Sequence, residues 1–589
     1  MKLSIFIITF FSVLSAQGTG KTFDRIITTD ADVLLTVRDF SELREVWKEH
    51  PLVLDFDDAS LGELLKPLFG QAANDAGRSG IKDVMEEFGL DVEELFDLFP
   101  GQAGLALYNL PELLLQEADR PDLAILANFS GSAERLDELM QIQFERNAKA
   151  QKEINPAIEH ELIKEHFMGE TLYFDEVFDG EATYIEDGYA LVDGIFVLAS
   201  PAERLRTMVE SIKAGSGQPI ALSAAYQRVR EESGPVDAML YLNFESFVPG
   251  LNEALLTQAM PGAMAMFGVS GRSLNAALTL EALQAFSFDF KVHEAGITSH
   301  SALVYREKSG LLALLAYGEG VLPPAEYVPD GALSSTVSLF DLSQMFARLE
   351  AFLGAASPSA PALLNIQLEQ IKTKSGVDLR SALLENFGAE VVTFSILPEE
   401  RPGGNVLAPA EQVYVLQIKD AAALSGALEA LKDMVPGARA QIETRDFAGE
   451  TIHTFTSPTN PSMPDAPAYY FSYVVARTHL IFSVGRIGTI QGVLTSMQSN
   501  DSGFWQLEET EALVDRVGKP GVVSRSYTDF GQAMEKFLET IHSASQLAGN
   551  TGTMDASKIP DLPWHFLTET YEAHDGLFSH MILLRKEGR

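Results

Sequence analysis

Tyr189-Ala190-Leu191-Val192-Asp193-Gly194-Ile195-Phe196-Val197-Leu198-Ala199, followed at once by Ser200-Pro201-Ala202-Glu203, is the stretch whose reading decides the fold. Two short apolar runs meet at Asp193-Gly194, a dipeptide that tolerates the left-handed backbone of a tight hairpin turn. Asp187-Gly188 reads as a second such turn just before the first run. Ser200 with Pro201 and Glu203 then opens a helix, because Leu205, Met208, Val209 and Ile212 recur at helical spacing. Hairpin followed by helix recurs elsewhere. Phe286 to Phe290 alternates apolar and polar residues, turns near Gly296 and returns through His300, and a later hairpin turns at Asp575-Gly576. Asp39 with Glu42 and Asp341 with Gln344 are capping pairs that open further helices. Consecutive hairpins with interspersed helices predict an α+β protein with largely antiparallel sheets rather than a doubly wound parallel sheet.

The same patterns return in order in the second half. Tyr189–Ala199 corresponds to Tyr473–Ser483, Gly169-Glu170-Thr171 to Gly449-Glu450-Thr451, and Ser299-His300 to Ser579-His580. The strand 122–129 answers 412–419, Gly89-Leu90-Asp91 answers Gly376-Val377-Asp378, and 30–40 answers 330–340. A period of about 285 residues is far beyond that of solenoids, so each copy is expected to be a domain with its own core. The expected division is a leader at 1–16, repeat domain A at 22–308, a linker at 309–329 and repeat domain B at 330–589. The linker holds Gly310, Gly318, Gly320 and Pro323-Pro324. The second copy adds a Pro-rich stretch, Ser457 to Pro467, expected as an exposed loop.

Met1-Lys2, the apolar run Leu3–Leu14 and the small residues Ser15 and Ala16 have the layout of a secretory signal peptide. The alternative is an uncleaved N-terminal anchor. Nothing later reaches membrane-spanning length, so the mature chain is expected to be soluble and exported, periplasmic or extracellular. Of 589 residues, 43 are Lys or Arg and 83 Asp or Glu, a net charge of −40. That surplus repels phosphates and disfavours a nucleic-acid partner. Residues 301–589 carry 21 basic and 34 acidic residues, a net of −13, so the first 300 hold most of the excess. With no cysteine, disulfides, thiolate nucleophiles and thiolate metal sites are excluded.

Catalytic signatures are missing. No Gly-x-Ser-x-Gly elbow, His-Glu-x-x-His helix or dinucleotide glycine fingerprint occurs, and Gly18-Thr19-Gly20-Lys21-Thr22 lies against the leader rather than after a strand. Glu159-His160-Glu161 with Glu165-His166 reads as charged surface, its two His lying about 120° apart on a helix. The residues that remain are His300 and His580, equivalent in the two copies and each following a Ser on the final strand. As imidazoles they could ligate a metal or donate to an anion, and duplication could bring both to one site, but no carboxylate partner is visible for either. Solvated strand histidines are the plainer reading. Met260, Met264, Met266 and Phe267 read as core filling or as an adaptable groove, and Trp47, Trp505 and Trp564 as core or helix packing.

With Val328-Pro329-Asp330 leading the second copy, the Gly-x-Asp helix openings, the Gly-Glu-Thr strands and two similar halves behind a leader, the chain resembles exported bacterial proteins built from a domain of unknown function. The first copy departs from that lead-in, with Thr29-Asp30 in place of Pro-Asp. The resemblance implies the build and no catalytic residues or cofactor. The sequence therefore leads to a non-catalytic binding or envelope-associated protein, with no cofactor called for and a protein or an apolar ligand as the open partner. The alternatives are a metal-assisted hydrolase near His300 or His580 and a carrier of apolar ligands.

Overall fold

The computed structural model describes residues 22–56, 97–118, 120–257, 268–397, 410–434, 441–456, 470–499, 503–536 and 562–586. The expected leader, Gly89-Leu90-Asp91, the run Met260–Phe267 and the Pro-rich stretch 457–467 lie outside them. The chain divides into two compact units. One holds the described residues up to Ala254 together with Leu283–Arg306, and the other holds Leu255–Ala282 together with the residues from Glu307 onward.

Among the described residues the first unit holds ten strands, all paired antiparallel. Its strands are β1 (Val33–Val37), β2 (Ala103–Leu107), β3 (Leu123–Asn128), β4 (Glu159–Phe167), β5 (Glu170–Phe178), β6 (Thr183–Val192), β7 (Ile195–Ser200), β8 (Ala238–Asn243), β9 (Leu283–His293) and β10 (Gly296–Tyr305). They pair in the order β10-β9-β8-β1-β2-β3-β7-β6-β5-β4. The central strands β3 and β7 are buried along their whole length, which explains their unbroken apolar runs. On one face Leu123, Ile125 and Phe196 pack with Leu136 and Leu139 of helix Ala133–Ile154. Helix Ala202–Ala214 packs on β3, β6 and β7 and buries Leu205, Met208, Val209 and Ile212, each contributing about 1.5–3 kcal/mol of transfer free energy. The hairpin between β6 and β7 turns at Asp193 and Gly194, with φ of 50° and 78°, as that dipeptide predicts. Asp187-Gly188 is different: it lies inside β6. Gly188 is needed there for closeness rather than for a turn, since a Cβ would stand 2.4 Å from Phe174 Cδ1 and 2.7 Å from the Tyr173 carbonyl.

The second unit carries β11 (Ala332–Leu339), β12 (Phe387–Ile396), β13 (Glu411–Ile418), β14 (Ile442–Phe447), β15 (Glu450–Thr456), β16 (Tyr470–Val475), β17 (His479–Gly485), β18 (Val522–Asp529), β19 (Trp564–Ala573) and β20 (Gly576–Arg585). Their order is β20-β19-β18-β11-β12-β13-β17-β16-β15-β14, all antiparallel. Strand for strand this is the order of the first unit. One face packs under helices Ile487–Ser496 and Glu508–Val517 with Phe504 and Trp505, and Leu424 of helix Ala421–Met434 packs with Phe387 and Ile418. Trp505 and Trp564 are core residues, but Trp47 is 40% exposed and only half fits the core reading. Two of the expected caps form, with Asp39 accepting from the Glu42 N–H and Asp341 from the Gln344 N–H, both at 3.0 Å, whereas helix Ala202–Ala214 starts after Pro201 with no side-chain cap from Ser200.

Two stretches differ from the expected division. Residues 255–282, placed with the first copy by sequence, belong to the second unit, where helix Gly271–Leu278 packs on helix Leu342–Ala356 and Ser273 Oγ donates to the Ala356 carbonyl at 2.7 Å. The stretch 309–329 is tied into the second unit rather than hanging between domains. Asp341 N–H donates to the Ala316 carbonyl, Gly318 N–H to Leu339, and Ala325, Tyr327 and Val328 join the core.

Candidate functional site

His300 and His580 sit on β10 and β20, each in the closing hairpin of its own unit. Hairpin register puts Asp289 opposite His300 and Glu569 opposite His580. His300 Nδ1 lies 2.8 Å from Asp289 Oδ1, and the Asp289 side chain has no solvent exposure. The carboxylate that sequence reasoning missed was countable: pairing outward from the turn before Gly296 sets position 300 against 289. In the second unit the Glu569 carboxylate, 1% exposed, accepts from Arg525 Nε at 2.7 Å, while Met239 takes the place of that arginine beside Asp289. Removing one member of such a buried pair strands a charge, which makes these pairs structural before they are anything else.

The richer constellation lies at the far end of the first sheet, on β4, β5 and β6. Expected as charged surface, Glu159–His166 forms part of strand β4, where the His160 side chain is instead 1% exposed. His160 Nδ1 stands 2.9 and 3.0 Å from the two oxygens of Asp175 on β5. Its ring meets Phe144 of helix Ala133–Ile154 edge to face, and its Nε2 has no hydrogen-bond partner among the described residues.

Register between β5 and β6 shifts at this point. Phe174 faces Gly188 and Glu176 faces Ile185, so Asp175 alone opposes both Glu186 and Asp187. Such a bulge breaks the strict alternation of a strand and re-aims its side chains. One ligating atom each from His160, Asp175 and Glu186 falls within 4.8 Å of the others. Arg120 Nη1 holds Glu186 Oε1 at 2.8 Å, and its guanidinium lies 5.3 Å over the Tyr184 ring. Burial, reinforced by the charges of Glu186 and Asp175, pushes Asp187 up to about 7. Burial also raises Asp175, against the lowering effect of His160.

No family model and no curated protein matches the chain. Among solved structures, crystal form I of TP0453 is similar at 11% identity over 49% of this chain and 80% of that one, with a TM-score of 0.23. Crystal form III of TP0453 is similar at 10% identity over 51% and 88%, with a TM-score of 0.22. Likeness at that level carries no argument about fold or function. Among the described residues no helix is long and apolar enough to cross a membrane.

Proposed function

We propose that the chain is an exported, non-catalytic binding or envelope-associated protein built from two copies of one α+β domain. The observation that carries this reading is the identical strand order of the two units among the described residues, alongside different chemistry at matched places. A duplicated scaffold whose cores agree and whose outer strands diverge is suited to holding two distinct surfaces. The positive, apolar and small-residue layout of 1–16 supports export, and the resemblance to exported bacterial proteins with duplicated halves belongs to the same proposal. The hydrolase reading at His300 and His580 gains little support, because His300 faces a buried carboxylate and the carboxylate opposite His580 is engaged by Arg525. The test is to recover the protein from its own host after export and identify what accompanies it. A stoichiometric protein or apolar ligand supports the binding reading. A bare protein that turns over ester or phosphoester substrates, with loss of turnover in His300→Ala or His580→Ala, overturns it.

A further inference from the structure

At the β4–β6 end of the first unit, three carboxylates and a buried histidine meet a single guanidinium. Arg120 offsets one charge, that of Glu186, and leaves Asp175 and Asp187 facing each other across the bulge. A structural ion-pair cluster normally balances its charges, because an uncompensated buried carboxylate is costly. Among the described residues one guanidinium, on Glu186, and one imidazole, on Asp175, face these carboxylates. A second observation is geometric: the His160 side chain, 1% exposed, sets Nδ1 against Asp175, and one donor atom each of His160, Asp175 and Glu186 lies within 4.8 Å of the others.

We propose that His160, Asp175 and Glu186 form a binding site for a divalent first-row transition cation. The spacing suits one. Around a cation with ligand bonds of about 2.0–2.2 Å, neighbouring donor atoms stand roughly 3 Å apart and opposite ones roughly 4.2 Å. The His160 nitrogen is already 2.9 Å from Asp175, and all three donor atoms lie within 4.8 Å of one another. One imidazole nitrogen with carboxylate oxygens favours Zn²⁺ or Mn²⁺ over Ca²⁺ and Mg²⁺, which prefer all-oxygen shells. Arg120 acts from outside the site: its guanidinium holds Glu186 by Oε1 and donates to the Tyr184 hydroxyl. Binding needs the imidazole neutral at Nδ1, so the proton shared between His160 and Asp175 leaves as the cation enters.

The experiment is equilibrium dialysis of the full chain, stripped with chelator, against Zn²⁺ and Mn²⁺ separately, with Ca²⁺ as comparison. One Zn²⁺ or Mn²⁺ per chain is expected. Glu186→Gln and Asp175→Asn, which keep side-chain shape, are each expected to weaken binding at least tenfold while His300→Ala leaves it unchanged. Circular dichroism of each stripped variant establishes that it is folded before binding is read. Absence of a stoichiometric site in the wild-type chain overturns the proposal. So does unchanged affinity in both folded carboxylate variants, or Ca²⁺ bound as tightly as Zn²⁺ and Mn²⁺.

Discussion

The outer ends of the two sheets are the same piece of architecture with different contents. Tyr173 stacks on Tyr189 across β5 and β6 with ring centroids 4.7 Å apart, and His453 stacks on Tyr473 across β15 and β16 at the same separation. Two residues beyond that shared pair the units part. The first has Asp175 opposite a bulge of Glu186 and Asp187, whereas the second has Phe455 opposite Phe471 in unbroken register, with Phe471 47% exposed beside Tyr470. One inserted residue in β6 therefore separates an acidic cluster from an aromatic face.

The largest expected effect concerns the glycine next to the bulge. Gly188 occupies the place of Ser472, whose hydroxyl pairs with Thr454 at 3.0 Å. Giving the first unit the residue of the second, Gly188→Ser, drives a Cβ into Phe174 and the Tyr173 carbonyl and is expected to cost about 2–3 kcal/mol in chemical denaturation. The reverse change, Ser472→Gly, loses one hydrogen bond and some backbone restraint, about 1 kcal/mol. Equal costs would show that the two ends are not packed differently.

Opposite responses to pH are expected next. Asp187 titrates near 7 rather than at its ordinary 3.8, so the native state holds a proton that the unfolded chain has released. Its contribution therefore falls as pH rises from about 4 to about 7, by up to about 1.4 kcal/mol per pH unit, and is flat above. In the second unit burial, aided by the positive charge of Lys586, lowers His565 to about 4. The unfolded chain binds a proton there that the native state refuses, so that contribution rises between about pH 4 and 6.5. Denaturation at pH 5 and pH 7.5 in chelator is expected to show Asp187→Asn gaining stability relative to wild type with rising pH, and His565→Gln losing it. A shared direction would break the contrast.

The smallest effect concerns the stretch between the units. Glu319–Val321 is exposed, but its flanks are hydrogen-bonded into the second unit, and 255–282 belongs to that unit as well. A nick near Val321 should be slow, and the two fragments should stay together in gel filtration until denaturant is added. Two freely separating halves would restore the sequence-based linker at 309–329.

Much of the scaffold was legible because its signals are local. Asp193-Gly194, the caps at Asp39 and Asp341 and the helical spacing of Leu205, Met208, Val209 and Ile212 each report on a few neighbouring residues. The candidate cation site was not legible, for three physical reasons. Asp187-Gly188 carries turn chemistry but serves a bulge, and a bulge is visible only against its partner strand. His160 sits on an outer strand with exposed neighbours at Glu159 and Glu161, so its polar surroundings hide a buried imidazole. Arg120 reaches Glu186 from 66 residues away, a contact that no local pattern encodes.

The central claim is that one scaffold occurs twice and that only the first copy is built for a cation. It is tested most directly by a crystal structure of the full chain grown with Mn²⁺ and measured for anomalous scattering. The account predicts a peak within about 2.3 Å of donor atoms of His160, Asp175 and Glu186, and none beside Phe455, Tyr470 and Phe471. A map with no peak at the β4–β6 bulge, or with equivalent peaks in both units, would contradict it.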